Sequence, residues 1–242
     1  MATTLLVVSP ADWLQSWHVA RLRIPHGRPF VTAAFALSAD GYLTAERGRP
    51  TAISSPEAML VTHELRALHD AILIGRGTQQ ADDPLLTTRF GAGRTGVRVV
   101  LDSRLQLSPT ARLVTSHERP VLVMTTNQAT SQSADALIDA EVEVKRLPAG
   151  DGGVSLPAVL AQLSERGITS VMVEGGATVL ESFFSAGLID FVCVTTSSAR
   201  LAGPTALPCG PKTRAALEAF TVAQTLQVGG DLITAGPMSG SL

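Results

Sequence analysis

Short apolar runs alternate with longer amphipathic stretches from residue 30 onward. Residues 30–37 are apolar or β-branched throughout, the pattern of a strand buried on both faces, and the turn Ser38-Ala39-Asp40-Gly41 closes it. Ser55, Pro56 and Glu57 then form a helix start: a capping hydroxyl, a ring with no N–H to lose, and an acid at the positive end of the helix dipole. Ala58, Val61, Leu65 and Leu68 recur at helical spacing as its buried stripe. The same reading predicts strands over 71–74, 97–101, 121–125, 142–147 and 171–173, with a polar loop through Asp82-Asp83-Pro84. It predicts a helix over 134–140 and another that starts at Ser155 and stops at Gly167. A helix after Gly175-Gly176 carries Val179, Leu180, Phe183 and Phe184. Strands over 189–196, 221–228 and 232–235 follow, the last two joined through Gly229-Gly230 as an antiparallel hairpin. This rhythm predicts an α/β fold, a mostly parallel sheet with helices on both faces and an antiparallel edge. Residues 1–28, with Trp13 and Trp17, lack the rhythm. They read as an arm ahead of a single domain over 29–242, packed on that domain or on a partner subunit.

Composition narrows the function. The chain has 242 residues, 45% of them hydrophobic, and its charged fraction of 17% is below the roughly 25% of an average soluble domain. That balance favours a dense core over disorder. A formal charge of −2 provides no general attraction for nucleic acid or an anionic membrane, so an anionic ligand needs placed arginines and backbone amides. Two cysteines make no disulfide framework, and a reduced, cytoplasmic setting is expected. The first residues lack a basic leader segment, and no apolar run reaches the length of a membrane span. His63-Glu64 begins a zinc-protease-like string, but Ala67 stands where the second histidine belongs, and no metal site is expected.

The chemistry concentrates at strand ends. Residues 171–178 give a short strand, Glu174 at its carboxyl end, a Gly175-Gly176 turn and a helix N-terminus, together a seat for a phosphate or pyrophosphate. Gly75-Arg76-Gly77-Thr78-Gln79-Gln80 begins like a dinucleotide fingerprint but has Gln80 in place of the third glycine, and a tight strand-to-helix turn explains it equally well. After Leu101-Asp102, Ser103 and Arg104 suit the 2′-phosphate of NADP, although a turn with a solvated arginine is the plainer reading. Asp82, Asp83 and Arg89 share one loop, where acids can orient a ligand or hold a proton, or merely form a turn before Pro84. Arg66 lies beside the apolar stripe of its helix and, on its own, reads as solvated surface.

Taken together and in order, these motifs closely resemble a known family. They are Val31-Thr32, Ser38 to Gly41, Ile53 to Pro56, Leu65-Arg66-Ala67, Asp70 to Gly75 with Gly77-Thr78, Ala81 to Leu85, Val99 to Arg104, Val173 to Thr178 and Ala186 to Asp190. The family is the reductase of riboflavin biosynthesis, either the C-terminal half of the bifunctional bacterial deaminase-reductase or its stand-alone counterpart. The resemblance implies a dihydrofolate-reductase-like fold, a homodimer, and NADPH-dependent reduction of the ribosyl group of a ribosylaminopyrimidine 5′-phosphate to ribityl. By position it implies that Arg66 and Arg89 grip the substrate phosphate with Leu86 nearby. Thr51 would offer the substrate a hydroxyl, and Glu174 would face it between pyrimidine and nicotinamide. It implies cofactor contacts from Ala36, Thr78, Asp82, Ser103 and Arg104, and from Gly175, Gly176, Ala177, Thr178, Val179, Leu180, Glu181 and Ser182. Asp82 and Glu174 are the candidates for proton delivery.

The chain departs from the bifunctional form at Ala34, where that form has lysine, and near Pro50 and Ala52, where it has serine and tryptophan. Neither H-x-E nor P-C-x-x-C occurs, so no deaminase module is expected, and the amino and deaminated pyrimidines both remain open as substrates. Two alternatives stand beside this reading: a reductase of the same fold acting on a pterin or another small carbonyl compound, and a non-catalytic nucleotide-binding protein. The intact pair Arg66 and Arg89 counts against the second.

Overall fold

A computed structural model of the chain describes residues 27–89, 95–220, 222 and 224–238. The predicted arm therefore falls almost wholly outside the described residues. The elements, in order, are β1 (Phe30–Leu37), β2 (Tyr42–Thr44), α1 (Pro56–Leu68), β3 (Ala71–Gly75), α2 (Arg76–Asp82), β4 (Val97–Leu101), α3 (Arg112–Thr115), β5 (Val121–Thr125), α4 (Ser131–Asp139) and β6 (Glu143–Arg146). There follow β7 (Ala149–Gly150), β8 (Gly153–Val154), α5 (Leu156–Glu165), β9 (Ser170–Val173), α6 (Ala177–Ser185), β10 (Phe191–Thr196), β11 (Leu207–Pro208), α7 (Pro211–Ala219), β12 (Gln224–Val228) and β13 (Asp231–Pro237).

The main sheet has nine strands in the order β12-β13-β10-β1-β9-β3-β4-β5-β6. Every neighbour pair from β10 across to β6 is parallel, while β13 runs antiparallel to β10 and β12 antiparallel to β13. This is the predicted α/β class with its antiparallel edge. Alternating side chains of each strand serve opposite faces. On one face Val31, Leu73, Val99 and Val173 pack with Val159 and Leu163 of α5 and Phe183 of α6. On the other, Ile72, Ile74, Val100 and Val123 pack with Leu113 of α3 and Leu137 of α4. Phe30, Ala34 and Met172 meet Ala58, Val61 and Leu65 of α1 there too. Full burial of each such aliphatic side chain is worth about 1.5–3 kcal/mol, which fixes the helices to the sheet.

Local starts and stops follow the sequence signals. The Ser55 hydroxyl accepts from Ala58 N at 3.2 Å, and Pro56 opens α1. Gly167 takes a left-handed φ of +73° just beyond α5. Several features differ from expectation. The segment after Gly75 is the helix α2, not a loop, and it buries only Gln79, so no apolar stripe announces it. Helix α7 buries only Thr213 and escaped for the same reason. The short pairings β2 with β11 and β7 with β8 have too few residues to show a period. Finally β6 spans four residues, fewer than the predicted strand over 142–147, and β12 starts at Gln224, with 221 and 223 outside the described residues.

Because the strands are parallel, the loops after β1, β3, β4 and β9 all leave the sheet on one side. The site is built there.

Candidate active site

β3 and β9 lie side by side, with Leu73 opposite Val173, and each runs through glycine into a helix. These turns are tight, and a side chain there would displace a neighbour. A Cβ on Gly75 would meet Val179 Cγ2 at 2.5 Å, and one on Gly176 would meet Thr78 Oγ1 at 2.7 Å. Gly176, the N-cap of α6, provides no side-chain cap, so the first N–H groups of that helix keep their capacity for an anion.

Above these turns opens a cavity of about 1040 Å³. It brings together most of the residues singled out from sequence. Gly175, Gly176, Ala177, Thr178, Val179 and Ser182 line it from α6 and its turn, Thr78 and Asp82 from α2, Ala36 from β1, and Ser103 and Arg104 from the loop after β4. Thr51, Arg66 and Glu174 complete the set. Four predicted residues stand outside the lining. Leu180 is fully buried, packed into the core with Phe183. Glu181 accepts from Lys212 N at 2.8 Å and from Thr213 N and Oγ1 at 3.0 Å, so its carboxylate caps α7 in place of meeting a cofactor. Leu86 is buried in the core beside β4, and Arg89, in the connection between α2 and β4, is exposed. The Thr51 hydroxyl is engaged within its own loop, 2.8 Å from Thr44 Oγ1 and accepting from Ala45 N at 3.1 Å.

Arg66 is the clearest correction. It is 6% exposed, not solvated surface, because the end of β9 and the loop through Thr87 cover its side of α1. Its Nε and Nη2 donate to Glu174 Oε1 and Oε2, each at 2.6 Å, and Nη1 donates to the Thr87 carbonyl at 3.1 Å. Burial works against the guanidinium charge, yet the Glu174 carboxylate outweighs it and holds the Arg66 pKa above its ordinary value.

His63, which the sequence reading weighed only as a metal ligand, is fully buried beside this pair. Its Nδ1 lies 3.3 Å from Arg89 N and its Nε2 3.3 Å from Arg89 Nη2. Burial, then the charges of Arg66 and Arg89, depress its pKa against the opposing pull of Glu174 and a hydrogen bond to the Thr87 backbone. The available clue was spacing, since His63 and Arg66 are one helical turn apart. Arg66 and Arg89 thus converge on one neighbourhood around His63.

Asp82 ends α2 at the cavity wall, and although much of its surface is open, partial burial raises its carboxyl above the usual range. Asp102 accepts from Gln106 N and Leu107 N at 2.6 and 2.8 Å through Oδ2, holding the turn that presents Ser103 and Arg104, while its buried Oδ1 has no hydrogen-bond partner among the described residues. Ala34, Cys193 and Ile233, members of one apolar cluster, give the cavity an apolar patch of wall. Burial pushes the Cys193 thiol up to about 12, so it is an inert packing group. A dinucleotide suits the glycine-turn side on two observations: the Gly176 cradle that a Cβ would fill, and the uncapped α6 N-terminus.

The sequence model of the RibD C-terminal domain matches residues 29–233. A riboflavin biosynthesis protein RibD of Bacillus amyloliquefaciens is 38% identical over 165 residues, covering 68% of this chain and 44% of that protein. The chain thus spans less than half the length of that relative. A 2,5-diamino-6-ribosylamino-4(3H)-pyrimidinone 5′-phosphate reductase of Aquifex aeolicus is 32% identical over 167 residues, covering 67% of this chain and 74% of that one. A dihydrofolate reductase of Enterococcus faecalis, at 15% identity and a TM-score of 0.50, covers 86% of this chain and 96% of that one, and shares the fold alone.

Proposed function

Since the chain belongs to the RibD C-terminal domain family, we propose that it reduces the ribosyl group of a ribosylaminopyrimidine 5′-phosphate to ribityl with NADPH. The observation that carries the reading is one cavity lined by two differently built groups of residues. One group has a glycine turn and an open helix N-terminus for a pyrophosphate. The other has a buried arginine locked to an acid, with a second arginine close by.

Gly175 through Thr178 hold the cofactor phosphates, and Ser103 with Arg104 meets the 2′-phosphate. NADPH, when bound, supplies the hydride. The chain's task is to hold two anionic ligands so that their reacting carbons meet. Arg66 and Arg89 take the substrate phosphate. Glu174 occupies one edge of the Arg66 guanidinium, and of the five N–H donors three are engaged within the protein, which leaves two for a phosphate oxygen. Glu174 thereby fixes the arginine in the orientation the phosphate needs. Asp82, with its raised pKa, is the group best placed to hold a proton at the cavity wall.

Arg66→Ala is expected to raise the substrate KM by at least tenfold while NADPH affinity stays nearly intact. Parallel weakening of both ligands in binding assays would remove Arg66 from the phosphate site.

A further inference from the structure

We propose that His63 is a positioning residue of the substrate site, holding Arg89 and residues 87–89 in place beside Arg66. This rests on the reading of Arg66 and Arg89 as the phosphate-binding pair.

His63 is fully buried and stands outside the cavity lining, so it touches no ligand directly. Its ring faces Arg89 with both nitrogens, at 3.3 Å from the backbone N and 3.3 Å from Nη2. Arginine N–H groups can only donate, so the imidazole must accept. A neutral ring has one in-plane lone pair and satisfies one of these two donors at a time. Its own N–H is available for the Thr87 backbone, and the Thr87 carbonyl also receives Arg66 Nη1 at 3.1 Å. His63 and Arg66, one turn apart on α1, therefore converge on the same stretch of loop.

That stretch needs an external hold. Asp83 and Leu86 both adopt left-handed backbone, at φ of 38° and 53°, an unfavourable conformation for non-glycine residues. The loop is tied at its start, where Asp83 Oδ1 accepts from Arg112 N at 3.0 Å, and in its middle, where the Leu85 carbonyl accepts from Arg98 Nη1 at 3.2 Å. His63 ties its end. The charged groups facing the ring are Arg66, Arg89 and Glu174. An imidazolium here would accept from neither donor and would repel both guanidinium groups.

The test measures ribose 5-phosphate binding to the full chain by calorimetry, with NADPH binding as a second readout. His63→Leu should weaken ribose 5-phosphate about tenfold while NADPH affinity holds. His63→Gln, which keeps a donor and an acceptor, should restore most of the loss. In an Arg89→Ala background, where only the backbone contacts remain, His63→Leu should cost much less than in the wild type. If His63→Leu fails to fold, the comparison moves to pH: affinity should drop more steeply on acidification in the wild type than in His63→Gln. An undiminished His63→Leu, a full additional loss in the Arg89→Ala background, or identical pH profiles would overturn the role of His63 and leave the arginine pair standing. A wild-type protein that does not bind ribose 5-phosphate would instead overturn the phosphate reading, and this inference with it.

Discussion

Arg66 and Glu174 lie 108 positions apart in sequence, and nothing in the spacing of either announces their contact. Each was legible as a candidate only through the company of other motifs. The helix pattern alone placed Arg66 beside the buried stripe, which is correct, but a helix cannot tell what will cover its flank. His63 was missed for a related reason: its role comes from two arginines, one of them on another segment. Removing half of the Arg66–Glu174 pair leaves a charge with little access to water, so Arg66→Ala should also lower unfolding free energy by about 3 kcal/mol. Glu174→Gln should cost less, because the amide still offers the guanidinium one acceptor. Denaturant titration of both variants checks the order, and a Glu174→Gln loss as large as that of Arg66→Ala would contradict it.

Among the elements, the glycine-turn-to-helix junctions were legible because glycine, acid and apolar stripe fall in strict succession. Helices α2 and α7 were not, since a short helix that buries one polar residue has no period to read. Glu181 also belongs to this scale. The resemblance implied a cofactor contact, while its carboxylate reaches the N-terminus of the unforeseen α7. Glu181→Ala should therefore destabilise the fold by about 1 kcal/mol, the usual cost of a lost cap, and leave NADPH affinity unchanged. Gly176→Ala should do the reverse. Its Cβ would displace Thr78 Oγ1 from the cradle, and NADPH binding should weaken about tenfold with a smaller effect on melting temperature. Paired fluorescence binding and thermal melts distinguish the two, and an interchange of these outcomes would contradict the assignment.

For the whole molecule, class and edge hairpin were readable, but strand order was not. β1 sits between β9 and β10, partners some 140 to 160 positions away, and only packing of the complete sheet selects them. The summed ionisation pattern makes a prediction at this scale. Burial and the neighbouring arginines hold the folded His63 pKa below its ordinary value, so the unfolded chain binds a proton there that the folded chain refuses. Its contribution is present above about pH 6.5 and lost as pH falls. Asp40 is held at about 2 by the Ser38 hydroxyl, with burial opposing and backbone donors assisting, and Glu143 and Glu181 are also depressed. Their contributions are present above about pH 4.5 and lost below it. Asp82, raised by burial, works the other way, one group against four. Melting temperature should thus fall from pH 7 to 5 and again toward pH 3.5, and His63→Gln should flatten the first step.

The most direct measurement of the central claim is NADPH oxidation by the purified chain, followed by absorbance. It would compare amino and deaminated ribosylaminopyrimidine 5′-phosphates, their dephosphorylated forms, and dihydrofolate. Turnover of at least one phosphorylated pyrimidine, lost on removal of its phosphate, is the predicted result. Oxidation driven by dihydrofolate alone, or by none of these compounds, would contradict it.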